Sequence, residues 1–270
     1  MKSSWKLGTV ALTAISWAIL IYLVLPLLVI VSVSFSNTAY IEFPPRGFTI
    51  KWYMQFVEDP SYIEAFRVSI ELAVLSTAVA IILATTAALI IVRKTFPGRT
   101  LISTLFLSPL VLPNIVIGVA ILQYANSFGF ARTFPALLIA HIVIVIPYVL
   151  RTVLASLAGM DVTIEEAAQD LGAGSVETFF LVTLPQIKPG IIAGALFAFI
   201  ISWINIEVTI FNSTGTLTTL PVKILYYVEN IGDPTVAAVS AVTVYIAIVV
   251  VVIVDLTIGL QKATSSGAMH

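Results

Sequence analysis

The stretch "EEAAQDLGAGSVETFFLVTLPQIKPG", residues 165–190, decides how the rest of the chain must be arranged. It carries acidic residues, glycines and prolines, and it follows and precedes apolar runs at about 135–157 and 189–211. A helix of about 20 apolar residues is long enough to cross a bilayer. The pattern therefore predicts a membrane protein in which two spans are joined by a structured polar connection.

The composition places most of the chain in an apolar environment. Of the 270 residues, 59% are hydrophobic and only 10% are charged, and the mean hydropathy is +1.08. A soluble domain carries roughly 25% charged residues. The net charge of −1 gives no basic surface for nucleic acid. The absence of cysteine excludes disulfides, thiolate catalysis and cysteine-ligated zinc or iron–sulfur sites.

Six apolar segments are long enough to span a bilayer. Helices are predicted rather than barrel strands, because the runs are continuous and lack a two-residue alternation. The first run is longer than a signal-peptide core and lacks a clear cleavage site, so it is predicted to be retained. The sequence thus predicts an all-α, polytopic membrane protein with one domain, 1–270, and six transmembrane helices at about 10–34, 68–92, 101–124, 135–157, 189–211 and 236–260.

The basic residues predict the orientation of these spans, because cytoplasmic loops carry an excess of Lys and Arg. A cytoplasmic N-terminus gives the inner side eight basic residues and the outer side five. An even number of spans then places both termini and the connection 159–188 in the cytoplasm. The inner residues are Lys2, Lys6, Arg93, Lys94, Arg99, Arg151, Lys188 and Lys262, and the outer ones are Arg46, Lys51, Arg67, Arg132 and Lys223.

The connection 159–188, called the 159–188 segment below, predicts two short helices. Thr163 and Glu166 have the spacing of a capping box, so Thr163 is predicted to cap the first helix. Gly172 is predicted to end it. Its apolar residues fall at helical spacing and form one stripe: Ile164, Ala167, Ala168 and Leu171.

A second short helix is predicted after Gly174, with Ser175 as its cap and Pro185 as its end. Pro189 is then predicted to open the next span as its first helical residue. Helices this short are not stable alone. The stripe on the first helix could pack on the chain's own helix ends or against a partner, and the residues by themselves leave both open.

The same residues carry a family resemblance. Glu166-Ala167-Ala168, Gly172 and Val182-Thr183-Leu184-Pro185 have the spacing of the motif E-A-A-x3-G-x9-I-x-L-P, with Val182 in place of Ile. The segment resembles the permease subunits of ATP-binding-cassette (ABC) importers, and in particular those of spermidine/putrescine-type systems. The resemblance extends from near Ser34 to near Ala241, through "FPPRGFTIKWY", "LSPLVLPNIVIGVAIL", "IPYVLRTVLASL" and "LPQIKPGIIAGALFAFI".

The resemblance implies a type I ABC importer permease fold in the bacterial inner membrane, and a transport role rather than an enzyme. It implies that a coupling loop docks into a groove of a separate ATPase, which binds ATP and Mg²⁺. This chain has no G-x4-G-K-[ST] motif and is expected to hold no cofactor. The coupling residues implied are Glu165, Glu166, Ala167, Ala168, Leu171, Gly172, Leu184 and Pro185.

Three further partners follow from the resemblance. They are a second permease subunit of different sequence, an extracytoplasmic solute-binding protein, and the surrounding lipid. The outer loops, 37–62 and 212–234, are the surfaces expected to meet the binding protein.

The outer end of the fifth span predicts a solute path. Trp203, Glu207 and Phe211 are four residues apart, which places them on one helical face. A carboxylate between aromatic rings suits an organic cation, although the same residues also suit an interfacial aromatic belt. Ser202, Asn205 and, in the third span, Asn114 complete the candidate path.

Prolines predict where this path lies. Pro109 and Pro113 are expected to break the third span and Pro147 the fourth, and broken helices are tolerated where backbone lines a cavity. We therefore expect a gate or solute path between the third and fifth spans, near Gly118. The alternative is that these prolines only set helix packing.

The solute itself stays open. Polyamine permeases of this type carry an acidic pair just after the residue that matches Ser202, and this chain has Ile204 and Asn205 there. The expected solute is therefore polyamine-like or another small charged organic compound. A secondary transporter driven by an ion gradient is the alternative, but it leaves the 159–188 segment unexplained.

Ionisable residues inside the spans are functional candidates because they are unfavourable in lipid. Glu71 and Asp255 lie near span ends and are predicted to reach the interface. His141 is predicted to be a helix–helix hydrogen-bond partner rather than a ligand. A metal enzyme is disfavoured because no second histidine or acidic pair lies near it in the spans.

Overall fold

The computed structural model describes residues 2–258, with side chains described for 8–253, and contains no β-strand within them. A 3-10 turn at Ser108–Leu110 and a π-helical turn at Phe179–Thr183 interrupt the α-helices. The helices are α1 Lys2–Val33, α2 Lys51–Glu58, α3 Pro60–Arg93, α4 Arg99–Leu107, α5 Asn114–Ser127, α6 Phe134–Ala158, α7 Val162–Asp170, α8 Ser175–Thr178, α9 Leu184–Ile204, α10 Thr209–Asn212, α11 Leu220–Asn230 and α12 Thr235–Ile258.

Among the described residues, five helices are long and apolar enough to cross a membrane, and a bent helix pair brings the number to six if it counts as one span. The all-α prediction is confirmed. The predicted sixth span, 236–260, coincides with α12, although its last two residues lie outside the described ones. The five helices are Gly8–Val33, Pro60–Arg93, Phe134–Ala158, Ser175–Ile204 and Thr235–Ile253.

The predicted third span is the bent pair. α4 continues through a 3-10 turn to Leu110, α5 begins at Asn114, and the two are bent by 106°. Pro109 lies in the 3-10 turn and Pro113 immediately precedes α5. Both prolines lack an N–H group, so the break at these residues, as predicted, has a local cause.

The predicted break of the fourth span at Pro147 is wrong. α6 is continuous from Phe134 to Ala158, and Pro147 is buried inside it. Neighbouring helices can accommodate one interrupted hydrogen bond in a membrane helix, which is why a single buried proline need not end it.

The predicted fifth span, 189–211, is displaced toward the N-terminus. The helix runs without interruption from Ser175 to Ile204 through the π-helical turn. The predictions that Pro185 ends a short helix and that Pro189 begins the next span are therefore wrong, because both prolines lie inside this helix. Gly174 is the residue before its start, so the prediction that Ser175 caps it is also wrong. A π-helical turn just before Pro185 offers the proline ring the extra room that a regular α-helical turn denies it.

α6 and α9 pack closely against each other. α9 approaches α6 at Gly190 and Gly194, where an added Cβ would collide with the side chains of Ser156 and Thr152. Small residues four apart allow two membrane helices this close approach. α6 buries side chains along its whole length, so it forms the centre of the packed region.

The chain divides into two compact units. The first comprises the residues up to Ile63 together with Ile224–Ile248. Inside it, Trp52 of α2 donates from Nε1 to the carbonyl oxygen of Ser36 at 2.7 Å. α2 therefore gives the predicted loop 37–62 a helical part.

The second unit comprises Glu64–Lys223 and the end of α12 from Val249. It contains α4 to α10 and the candidate sites. On α3, Arg67 Nε lies 2.8 Å from Glu71 Oε1, and both side chains are partly exposed. Glu71 thus has a charged partner one turn away. The side chain of Asp255 lies outside the described residues.

Candidate functional site

The 159–188 segment begins with a cap that differs from the predicted one. α7 starts at Val162, and Asp161 is its N-cap, with Oδ1 accepting a hydrogen bond from the backbone N–H of Thr163 at 3.0 Å. This bond lowers the pKa of Asp161 below its ordinary value. The prediction that Thr163 caps the helix is wrong, because an earlier aspartate already does so. Glu166 is therefore not the third residue of a capping box.

α7 ends at Asp170 with Leu171 as its C-cap, and Gly172 terminates it as predicted. This glycine has φ +95° and donates from its N–H to the carbonyl of Gln169 at 2.9 Å, while Ala173 N–H donates to the carbonyl of Ala168 at 3.1 Å. The two bonds form a Schellman motif. The left-handed conformation favours glycine because other residues carry a Cβ.

Glu165 fixes α7 to the rest of the second unit. One carboxylate oxygen lies 2.9 Å from Nε of Arg93, at the end of α3, and the other accepts a hydrogen bond from Thr183 Oγ1 at 2.6 Å. The side chains of Arg93 and Glu165 are 19% and 12% exposed. Glu165 was predicted to meet the ATPase, but here its carboxylate faces its own chain. Sequence reasoning missed Arg93 because nothing local connects it to Glu165.

The surface of the 159–188 segment around Leu171 is uncovered by the described residues. Leu171 is 90% exposed, and Glu166 and Ala167 beside it are also exposed. Of the other predicted coupling residues, Pro185 is exposed, while Ala168 and Leu184 are partly buried. The described part of the chain does not cover this surface, which favours a partner over packing on its own helix ends. Elsewhere in the 159–188 segment, Val176 and Phe180 are exposed on the side of Glu165, and the other exposed apolar side chains are Val162, Ile164 and Leu181.

A cavity of about 540 Å³ lies where the third span breaks and α9 ends. Asn114, Asn205 and Glu207 line it, so the structure brings together three of the predicted path residues. Tyr148 of α6 lines it as well and was not predicted. The predicted location between the third and fifth spans therefore does hold a cavity.

The predicted helical face of Trp203, Glu207 and Phe211 does not exist. α9 ends at Ile204, and Glu207 lies in a turn before α10. Trp203 is buried and stacks on the ring of Phe199 at a centroid distance of 6.1 Å. Neither Trp203 nor Phe211 lines the cavity with Glu207, so the argument for an aromatic pair around this carboxylate is wrong.

Ser202 does not line the cavity either, because it belongs to a buried polar network with His141. His141 Nδ1 lies 2.7 Å from Ser202 Oγ, and Nε2 lies 3.0 Å from Thr209 Oγ1. The prediction that His141 is a helix–helix hydrogen-bond partner is confirmed. Among the residues that the structure describes, no three His, Asp or Glu side chains cluster as metal ligands would.

Comparison with known proteins gives a consistent picture. Residues 76–261 match a family described as the binding-protein-dependent transport system inner membrane component. The chain is 30% identical over 235 residues to the spermidine/putrescine transport system permease protein PotC of Escherichia coli K12, covering 87% of this chain and 89% of that protein. It is 31% identical over 226 residues to the putrescine transport system permease protein PotI of the same strain, covering 81% and 80%.

A solved structure supports the fold. The crystal structure of a bacterial alginate ABC transporter, in complex with its alginate pentasaccharide-bound periplasmic protein, contains a chain that superposes with a TM-score of 0.62 at 19% identity. The superposition covers 94% of this chain and 92% of that one.

Proposed function

The chain belongs to the family of binding-protein-dependent transport system inner membrane components, and we propose that its 159–188 segment docks on a separate ABC ATPase. It is a permease subunit of an ATP-driven importer, a multi-pass protein of the bacterial inner membrane and not an enzyme. Under the proposal, ATP and Mg²⁺ are bound by the partner, and this chain receives the motion of that partner.

The exposed surface beside Leu171 is the observation that carries this proposal. An apolar side chain that is 90% exposed on a polar membrane-protein segment has no packing role in its own chain. Ala167 leaves room for close approach, and Glu166 offers a charge at the edge. The ion pair between Arg93 and Glu165 holds the segment, so a partner binds a fixed surface and not a loose loop.

Two proline variants test the docking. Gly172→Pro cannot keep the left-handed backbone, because proline fixes φ near about −65°, whereas Gly174 already has φ −71° and its replacement by proline serves as the matched control. We expect Gly172→Pro to lose co-purification with the ATPase while the spans still insert, and Gly174→Pro to retain it. If Gly172→Pro keeps both the ATPase and transport, the docking proposal fails.

The same proposal places both termini and the 159–188 segment in the cytoplasm. The natural chain has no cysteine, so single cysteines report sidedness without background. Ala167→Cys should react with a membrane-impermeant thiol reagent only from the cytoplasmic side, and Tyr40→Cys only from the outer side. Both are exposed. The opposite pattern would contradict the orientation.

We propose that the working transporter contains a second permease of different sequence and an extracytoplasmic solute-binding protein. The related alginate transporter is named as a complex with a periplasmic protein, which supports the second partner. The outer regions 37–62 and 212–234 are the proposed contact surfaces. When two differently tagged copies of this chain are expressed together, pull-down of one copy should not recover the other. Recovery of the second copy would indicate a homodimer and contradict the proposal.

The proposed solute is polyamine-like or another small charged organic compound. PotC and PotI are named for spermidine and putrescine, which supports an amine. The cavity contributes one carboxylate, Glu207, with Asn114, Asn205 and Tyr148 as polar groups. Calorimetric titration of the cognate binding protein with spermidine, putrescine and a panel of small monovalent and anionic organic compounds would identify the class. Binding of anionic compounds alone would exclude a polyamine-like solute.

A further inference from the structure

A buried hydrogen-bonded network connects four helices of the second unit. Ser76 of α3 donates to Ser202 Oγ of α9 at 3.1 Å, and His141 of α6 lies between Ser202 and Thr209 of α10 at 2.7 and 3.0 Å. Each of the four residues is at most 3% exposed. These residues are called the His141 network. Nothing assigned above to coupling or to the cavity lining uses it.

The network can run in two directions, and the hydrogen of each hydroxyl group differs between them. In the first direction, Thr209 Oγ1 donates its one hydrogen to the carbonyl of Asn205 at 3.0 Å, so toward His141 it can only accept. The proton of the neutral imidazole is then on Nε2, and Nδ1 accepts from Ser202. Ser202 in turn accepts from Ser76.

The reversed direction would end in a weaker hydrogen bond. It would run from Thr209 through His141 and Ser202 to Ser76, whose only remaining acceptor among the described contacts is the carbonyl of Ala73 at 3.4 Å. Hydrogen bonds of a hydroxyl group are commonly about 2.7–2.8 Å long and weaken with distance. The 3.0 Å bond to the carbonyl of Asn205 is therefore the better terminus.

The network ends on the wall of the cavity. Asn205 terminates α9, and its Oδ1 accepts from the N–H of Val208 at 2.9 Å, which closes the turn 205–208. Asn205, Ile206 and Glu207 of this turn line the cavity. On the far side of the turn, Asn212 Nδ2 donates to the carbonyl of Gly118 at 3.1 Å. The turn is thus held between α6 and α5.

We propose that His141, as a neutral ring with its proton on Nε2, is a positioning residue that holds the turn 205–208 in place as a wall of the cavity. It does not touch the solute. It acts through Thr209 and the carbonyl of Asn205. The importance of this positioning for import rests on the proposed function, which assigns the cavity to the solute path. The placement of the turn by the His141 network does not depend on that function.

Nitrogen NMR tests the direction. The chain has two histidines, so selective ¹⁵N-histidine labelling of the full-length protein gives two residues to assign, and the His270→Ala variant identifies His141. We expect a protonated Nε2 and an unprotonated Nδ1 for His141. A protonated Nδ1 with an unprotonated Nε2, or a doubly protonated ring, would overturn the proposal.

Thiol labelling tests the positioning. Ile206→Cys places a reporter thiol on the cavity wall in a chain without other cysteines. Adding Thr209→Val removes the hydroxyl at constant shape, whereas Thr209→Ser keeps it. We expect the valine variant to change the labelling rate of the reporter thiol roughly tenfold, because it leaves the buried imidazole N–H without an acceptor, and the serine variant to restore the original rate.

A further variant separates a specific effect from general destabilisation. Thr77 of α3 is buried, and its hydroxyl makes no hydrogen bond to any residue that the structure describes, so Thr77→Val should leave the labelling of the reporter thiol unchanged. Equal rates in the Thr209→Val and Thr209→Ser variants, or an equal change with Thr77→Val, would refute the positioning role. Neither the NMR assay nor the labelling assay needs a solute or an ATPase. Their results therefore test the role of His141 even if the docking or transport experiments fail.

Discussion

The two ends of one 30-residue helix, Ser175–Ile204, lie beside very different structures. At its start, the 159–188 segment, which includes the first turns of this helix, exposes apolar side chains and is held to the chain by the charged pair of Arg93 and Glu165. Beyond its end, the turn 205–208 is held by the His141 network, which contains only neutral donors and acceptors.

The difference follows from access to water. Ions taken out of water are strongly unfavourable unless well paired, so an ion pair suits a site that keeps 12–19% of its side-chain surface exposed. A neutral network whose members are all satisfied suits a site buried between spans. One region therefore keeps a rigid surface available, and the other keeps a cavity wall in shape.

Removal of the charged pair should have the largest effect. Glu165→Ala leaves the guanidinium of Arg93 largely buried without its carboxylate, and we expect about 3 kcal/mol of destabilisation. Thermal unfolding of the purified chain measures this. Glu166→Ala, at the exposed neighbouring residue, is the control and should unfold as the unaltered chain does. Equal losses in the two variants would show that the ion pair does not hold the segment.

Replacement of His141 should have the next largest effect. His141→Phe keeps an aromatic ring but leaves Ser202 and Thr209 without their shared partner, at a cost of about 2 kcal/mol. His141→Gln can still donate to Thr209 and should recover part of this loss. Unfolding midpoints rank the three proteins, and a phenylalanine variant as stable as the original would contradict the importance of the network.

Leu171→Ser should separate stability from docking. The side chain is almost fully exposed, so we expect a change in unfolding free energy within about 0.5 kcal/mol, but weaker co-purification with the ATPase. Ile41→Ser, at an exposed apolar residue of the outer region 37–62 away from the ATPase, is the control for a change of surface polarity. Undiminished ATPase recovery would remove Leu171 from the docking surface.

The smallest effect concerns Asp161. Its pKa is lowered in the folded state, so its capping contribution is present above its unfolded pKa and is lost as the pH falls through the folded pKa. The amide proton shift of Thr163 should therefore titrate with a midpoint below the ordinary pKa of an aspartate carboxyl. Asp161→Asn keeps a capping oxygen and should show no such step. A midpoint above the ordinary value would contradict the cap.

The fold class could be predicted because long apolar runs leave few alternatives to spanning helices. Two further features could be predicted because glycine and proline determine the local backbone conformation. They are the termination of α7 by Gly172 and the break at Pro109 and Pro113. The location of the cavity followed from that break.

Features that depend on distant residues could not be predicted. The pair of Arg93 and Glu165 joins two segments that the sequence does not connect. The end of α9 at Ile204 follows from the side chain of Asn205 bonding to Val208, and spacing alone suggested that the helix continued through Phe211. The apparent capping box at Thr163 was displaced by Asp161, two residues earlier.

The π-helical turn Phe179–Thr183 also sets the angular phase of the span that follows it. The π-helical turn holds about one residue more than a regular α-helical turn, so the residues downstream lie about 100° away from where uninterrupted α-helical spacing would put them. If the same residues formed a regular α-helix there, the faces of α9 would turn away from α6 without any change of side chain in either helix. The packing of α9 against α6 therefore depends on the hydrogen-bond spacing at this turn as well as on the side chains of the two helices.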